Sequence, residues 1–480
     1  MRKSTFLLSI LFLLFSFVAQ AQTFTEWQDP HINSINRLPM HSTFLPEGTR
    51  MISLAGDWSF NWVRSANQHP VGFWSPDYKE SSWGKMKIPA VWELNGYGDP
   101  VYVNIGYPWL GRFKSEPPIV PVENNHVGSY RRYYDIPAEW KGDQIILHFG
   151  SVTSCLYLWV NGKFVGYSED SKLECEFDIT EYVKPGKRNL IAFQVYRWCD
   201  GTYLEDQDFF RFAGVVRDCY MYTRPVKHIE DVSFTPDLDA NYRNGMLSVN
   251  LSISDFRRTR VEMRLMDAEG KEAAPSLSTT GAYVNGRFEV PDVRKWSAED
   301  PYLYRLDVLL YEGKKLLQTL HFDVGFRKVE IVGSDLLVNG KRVLIKGVNR
   351  HELDPDGGYV VSRGRMEQDI KLMKELNVNA VRTCHYPDDP YWYELCDRYG
   401  IYMVAEANLE SHGMGYGDKT LARDTAYLQA HLERNLRHVR RNFNHPSIII
   451  WSMGNEAGYG PNFEAVYDLV RAMDPGRPGQ

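Results

Sequence analysis

Ile448-Ile-Ile-Trp-Ser-Met-Gly-Asn-Glu456 reads as a buried strand that delivers polar side chains at its end. An unbroken apolar run of this length is what a parallel strand covered on both faces requires. A helical pattern from Phe463 to Met473 follows it. The same unit recurs upstream. Val343-Leu-Ile-Lys-Gly-Val348 predicts a strand, and Gly364 to Leu376 an amphipathic helix with Met366, Ile370, Met373 and Leu376 on one face. Ala380-Val-Arg-Thr383 then precedes a helix from Tyr391 to Arg398 stopped by Gly400, and Ile401-Tyr-Met-Val-Ala405 precedes one from about Thr425 to Phe443. Alternation of strand and helix predicts a parallel α/β architecture, and four units make half of a (β/α)₈ TIM barrel.

N-terminal to this unit the period drops to two. Leu156-Tyr-Leu-Trp-Val-Asn-Gly-Lys-Phe-Val-Gly-Tyr167 is a strand, an Asn-Gly turn and a second strand, because Asn and Gly accept the positive φ of a two-residue hairpin. Such segments predict a jelly-roll-like β-sandwich over 22–225. From 226 to 331, patterns such as Met246-Leu-Ser-Val-Asn-Leu-Ser-Ile253 and Tyr304-Arg-Leu-Asp-Val-Leu-Leu-Tyr311 suit an immunoglobulin-like β-sandwich. Residues 332–480 form the α/β part, so the expected fold is multidomain β plus α/β. The chain stops in Asp474-Pro-Gly-Arg-Pro-Gly-Gln480, read as a turn where a fifth strand is expected, which predicts an incomplete barrel.

A net charge of −6 spread over 480 residues provides no field for a nucleic-acid partner or an anionic membrane. Residues 1–21 carry Arg2 and Lys3, an apolar stretch from Phe6 to Val18 and Ala19-Gln-Ala21, the pattern of a secretory signal peptide. A secreted, periplasmic or extracellular protein with no membrane span after cleavage is expected. The six cysteines are widely scattered without C-x-x-C spacing, which favours free buried thiols over a disulfide framework or a zinc site.

Chemistry in such barrels sits at the carboxyl ends of the strands. Those ends read Asn349-Arg-His-Glu352, Thr383-Cys-His-Tyr386, Glu406-Ala-Asn-Leu-Glu-Ser-His412 and Gly454-Asn-Glu456. Carboxylic acids flanked by amide and imidazole donors suit glycoside hydrolysis, which needs an acid for the leaving oxygen and a second carboxylate for the oxocarbenium-like centre. Glu456 is the best candidate acid.

The motifs Trp198-Cys-Asp-Gly-Thr-Tyr-Leu-Glu-Asp-Gln-Asp208, Phe212-Ala-Gly-Val-Val-Arg-Asp218, Lys346-Gly-Val-Asn-Arg-His-Glu352, Val381-Arg-Thr-Cys-His-Tyr-Pro387, Glu406-Ala-Asn-Leu-Glu-Ser-His-Gly-Met414 and Trp451-Ser-Met-Gly-Asn-Glu456 occur in one order. In that order the chain resembles the large bacterial β-galactosidases of glycoside hydrolase family 2, from about Trp27 to its end. The resemblance implies retaining hydrolysis of terminal β-D-galactosyl residues, with Glu456 as general acid/base and His351 and His385 stabilising the transition state. It implies sugar contacts from Asn104, Asp200 and Asn455. Glu410, His412 and Glu456 would hold Mg²⁺, for which two carboxylates and one nitrogen are a better match than for zinc, and Asp200 would also meet Na⁺. No organic cofactor is implied, the partner is a small-molecule or glycan β-galactoside, and a homo-oligomer is open for a full-length protein. The family's nucleophile is a second glutamate on a later strand, and no residue here matches it. Glu406 falls where the family places a structural acid.

Overall fold

A computed structural model describes residues 24–480; residues 1–21, the expected signal peptide, lie outside the described residues. Among them no helix is long and apolar enough to cross a membrane.

The Asn-Gly hairpin forms between strands Cys155–Val160 and Lys163–Ser168, with φ of 51° at Asn161 and 85° at Gly162. It belongs to a seven-stranded antiparallel sheet that packs on a four-stranded sheet built around Gln144–Phe149 and Cys219–Arg224. Strand Cys155–Val160 is buried on both faces. Its even-numbered residues, Leu156, Leu158 and Val160, enter the core between the sheets with Trp58, Phe149 and Phe193. Cys155, Tyr157 and Trp159 point the other way, into a second apolar cluster shared with Leu409, Leu421, Tyr427 and Ala430 of the α/β part. The outer face of the sandwich is therefore fused to the strand-end loops by the hydrophobic effect, which is why the alternation expected of a half-exposed strand is absent there.

The following sandwich pairs a three-stranded sheet (Ile229–Leu238, Gly245–Ile253, Tyr283–Val290) with a four-stranded one (Leu277–Thr279, Thr259–Met266, Tyr304–Glu312, Lys315–Val324). Here alternation is regular. Leu247, Val249 and Leu251 point inward and Ser248 and Asn250 outward.

The α/β part runs β1 (Gly347–Arg350), α1 (Arg363–Glu375), β2 (Ala380–Thr383), α2 (Pro390–Tyr399), β3 (Tyr402–Glu406), α3 (Leu428–Asn442), β4 (Ile448–Ser452) and α4 (Pro461–Met473). The four strands are parallel and in sequence order. Asp389 caps α2 through a bond from the Tyr391 amide, with Pro390 as its first residue and left-handed Gly400 ending it, as the capping asymmetry of helices dictates. A Cβ at Gly400 would lie 2.6 Å from the Ala298 carbonyl, so this glycine also admits the close approach of the preceding domain.

Two expectations change. The strand expected from Val343 begins only at Gly347. Two backbone groups there, Leu344 O (2.9 Å) and Lys346 N (2.7 Å), bond to the Asn379 side chain, and Val343 N bonds to Leu336 O. Second, residues 478–480, expected in a turn, run parallel to β4: Trp451 N bonds to Pro478 O, Gln480 N to Trp451 O and Met453 N to Gln480 O. All six cysteines are buried and unpaired.

Candidate active site

β3 and β4 end side by side, and the residues after them meet. Glu406, the last residue of β3, is fully buried and has its acceptors filled: Arg382 donates Nε (2.8 Å) and Nη2 (3.0 Å), His385 Nδ1 lies at 2.7 Å, and the Ser452 hydroxyl donates to Oε2. Arg382 also donates to Asn455 Oδ1 at 2.8 Å. Asn455 passes the order on, because its Nδ2 donates to Glu410 Oε1 at 3.0 Å. The amide of one residue thus links the structural carboxylate to the next acidic group.

That group is Glu410, His412 and Glu456, whose ligand atoms lie within 4.8 Å of one another. His412 Nδ1 is 3.3 Å from both Glu410 Oε1 and Glu456 Oε2. Glu410 is fully buried, yet its Oε2 has no hydrogen-bond partner, and neither ring nitrogen of His412 has one. Buried polar atoms without partners are costly, and Glu410 Oε2 and His412 Nδ1, with the Glu456 carboxylate beside them, are atoms that a divalent cation could satisfy. The Glu410 carboxylate, with Asp206 and Glu456 adding to it, raises the His412 imidazole above its usual pKa; the site favours positive charge. Glu456 is the open member, its side chain 55% exposed, and a cavity of about 570 Å³ lies beside it, lined by Tyr459, Phe463 and Tyr467. Its φ is +41°, a left-handed value that costs a non-glycine residue roughly 1 kcal/mol or more.

His351 and His385 stand next to this cluster with ring centroids 5.6 Å apart. His351 stacks on Phe209 of the first sandwich at 4.0 Å, and its Nδ1 is 3.3 Å from the Tyr386 hydroxyl. Burial, then His385 and Lys172, lowers its pKa to about 4, so it is a neutral hydrogen-bonding group at neutral pH. Asn104 is exposed on a loop whose Gly106 and Tyr107 pack on Gly413, next to His412. Asp200 is not brought into this cluster. It is 1% exposed in a separate buried group with Glu169 and Cys199. Its Oδ1 is unpartnered, and burial followed by the Cys199 sulfur raises its pKa well above the carboxylate range. Another cavity, about 740 Å³ beside His41, His148 and Glu176, is lined by none of the candidate site residues.

What crosses from the sandwich to the strand ends is the segment after Asp200. Gln207 Nε2 donates to Asn408 Oδ1 (3.2 Å), Glu205 Oε1 accepts from Asn408 (2.9 Å) and Arg434 (2.7 Å), and the Asp206 amide donates to Glu410 O (3.0 Å). Sequence reading did not single out Glu205, Asp206, Gln207, Arg382 or Arg434. The acid-rich run Glu205-Asp-Gln-Asp208 was the available signal, since so many acids beside apolar Tyr203 and Leu204 need partners once buried.

Residues 51–225 match the sugar binding domain of family 2 glycosyl hydrolases, 227–327 match the family 2 glycosyl hydrolase domain that follows it, and 329–480 match the family's TIM barrel domain. The chain is 38% identical over 496 residues to a β-galactosidase of Priestia megaterium, covering 96% of this chain and 48% of that one. It is 42% identical over 486 residues to a β-galactosidase of Aeromonas hydrophila subsp. hydrophila, covering 95% and 46%. The chain thus spans about half the length of the curated relatives it matches. Among solved structures, a β-glucuronidase from Ruminococcus gnavus superimposes with a TM-score of 0.75 at 24% identity, covering 92% of this chain and 74% of that one, a likeness of fold. With three successive domains of one family matched in order, and their strand ends assembled into a single acidic site, this chain belongs to glycoside hydrolase family 2.

Proposed function

We propose that these residues form the acid/base side of a β-galactosidase site, hydrolysing terminal non-reducing β-D-galactose residues with retention by double displacement. The observation that carries the reading is the placement of Glu456. It is the one open carboxylate of the cluster, on a strained left-handed residue directly after Asn455, beside a cavity. Glu456 protonates the departing glycosidic oxygen and later takes a proton from water. Asn455, held by Arg382, offers its amide to the 2-hydroxyl. Neutral His351 and partly buried His385 donate to sugar hydroxyls in the transition state. Asn104 and Asp200 contact the sugar from the sandwich side.

Glu410, His412 and Glu456 hold Mg²⁺, which when bound supplies a fixed positive charge beside the acid. The unpartnered Asp200 Oδ1 supports Na⁺ there. No organic cofactor takes part. The nucleophile is a second carboxylate outside the set gathered here, since Glu406 has its acceptors filled by hydrogen bonds and Glu410 faces the cation. The 1–21 segment directs export to the periplasm or beyond, and the substrate is a soluble or glycan-borne galactoside.

The test is release of nitrophenol from a nitrophenyl β-D-galactoside, with the β-D-glucuronide as control, by the purified chain with and without Mg²⁺ and by Glu456→Gln. Magnesium-dependent galactoside turnover that the variant loses supports the reading. A folded chain that is silent but binds a galactose-like inhibitor supports the binding and acid/base assignment together with an external nucleophile. Turnover that survives Glu456→Gln, or a folded chain that neither binds nor cleaves, overturns it.

A further inference from the structure

The metal-ligating loop of the barrel is not held by the barrel alone. Leu204, Glu205 and Asp206, from the first sandwich, lie alongside Glu410 as a parallel bridge: Glu410 N donates to Leu204 O at 2.8 Å and Asp206 N to Glu410 O at 3.0 Å. Glu410 is bridged in turn to Asn455. Three segments from two domains therefore make a short sheet whose middle member carries the first carboxylate.

The Asp206 side chain is fully buried. Its Oδ2 accepts from Gly413 N at 2.9 Å, and its Oδ1 from Arg211 Nη2 at 3.0 Å. The same Oδ2 is 3.5 Å from His412 Nε2. The ring's other nitrogen, Nδ1, faces Glu410 and Glu456 at 3.3 Å each. An imidazole that ligates a metal through one nitrogen needs its proton on the other, and an acceptor there fixes the tautomer and the ring plane.

We propose that Asp206 is the positioning residue of the cation site: its carboxylate accepts the Nε2 proton of His412 and presents Nδ1 to a divalent cation shared with Glu410 and Glu456. A small rotation of the ring brings the 3.5 Å separation to hydrogen-bond length. The sandwich domain thereby completes a metal site whose ligands all belong to the barrel. Gly413 is part of the same device, because a Cβ there would lie 2.6 Å from Asp206 Oδ2 and would push the carboxylate off His412. The inference rests on the cation reading of Glu410, His412 and Glu456 given above.

The test uses the whole chain with Mn²⁺ as probe. Free Mn²⁺ is counted by electron paramagnetic resonance, and pulsed measurements of the bound ion report whether an imidazole nitrogen is coordinated. Wild type is expected to bind one Mn²⁺ with a nitrogen signature. Asp206→Asn and, independently, Gly413→Ala are expected to bind about 10- to 100-fold more weakly, the usual effect of losing an outer carboxylate, and to weaken or lose the nitrogen coupling. The metal-free unfolding midpoint separates a folding defect from a ligation defect, and Gly413→Ala decides the matter where Asp206→Asn fails to fold. Wild type binding with a nitrogen signature while a folded variant binds within twofold and keeps that signature overturns the role of Asp206 and leaves the cation reading standing. Wild type without bound Mn²⁺ overturns both.

Discussion

Glu406 and Glu410 lie four residues apart on one segment, both fully buried, in opposite circumstances. Around Glu406 the protein supplies a guanidinium, an imidazole and a hydroxyl. Around Glu410 it supplies one amide and leaves the second oxygen and the neighbouring imidazole without partners. A carboxylate whose acceptors are filled organises its surroundings; one facing other unfilled ligand atoms fits the cation site proposed above. The comparison separates structural from functional acids on a physical ground, independent of any motif.

Removing the filled acid breaks the comparison most forcefully. Glu406→Gln leaves Arg382 facing a neutral amide, and breaking a buried pair from one side costs about 3–5 kcal/mol. Urea unfolding is expected to show this loss whether or not Mg²⁺ is present. A variant as stable as wild type would mean the network is not structural.

Glu410 should behave in the reverse way. Mg²⁺ at a hundred times its dissociation constant is expected to stabilise wild type by about 2.7 kcal/mol, and a chelator to remove the gain. Glu410→Gln should abolish the magnesium-dependent increment in thermal midpoint. An equal increment in that variant would place the ion elsewhere.

Glu176 sharpens the contrast as another filled acid, remote from the strand ends. It meets His148 Nδ1 at 2.9 Å, His41 Nε2 at 3.3 Å and the Tyr222 hydroxyl at 3.2 Å. Burial works against the His41 charge, but Glu176, the Ser42 carbonyl and Asp231 overcome it and raise the imidazole to about 9. The sign follows from linkage. A group raised in the folded state contributes fully below its unfolded pKa of about 6.5 and loses that contribution as pH rises through about 9. His41→Ala is expected to cost about 3 kcal/mol at pH 6, with the charge-dependent part of the difference from wild type gone by pH 10 in urea titrations. The Glu176 carboxyl is held well below its usual range, so its own contribution is present at neutral pH and fades under acid.

The smallest effect concerns Glu456. With φ at +41°, glycine would relieve the left-handed strain, and Glu456→Gly is expected to make the metal-free chain about 1 kcal/mol more stable while removing the acid. A destabilised glycine variant would show that contacts of the side chain outweigh the strain.

Much of the site was legible as strand ends. Residues after β2, β3 and β4 had to gather, because parallel strands in one sheet point their carboxyl ends the same way, and apolar runs with polar ends mark those strands without a structure. His385, Glu410, His412, Asn455 and Glu456 are found by that rule. The strand expected from Val343 was misplaced because an apolar pattern does not reveal that an asparagine elsewhere, Asn379, will take two of the backbone bonds. Asp200 was placed from the motif around it; in the folded chain it sits in a buried group with Glu169 and Cys199, and it is Glu205, Asp206 and Gln207 that hydrogen-bond across to the strand-end residues.

The sequence by itself determined the domain order, the strand-helix alternation and the residue types at each strand end, since these depend on periodicity and local turn chemistry along one chain. Only the tertiary structure decided which carboxylate is filled and which is open, and that Asp206 stands behind His412. Those outcomes depend on partners some 200 residues away in sequence, brought within a few ångströms by burying the outer face of one sandwich against the loops of the barrel.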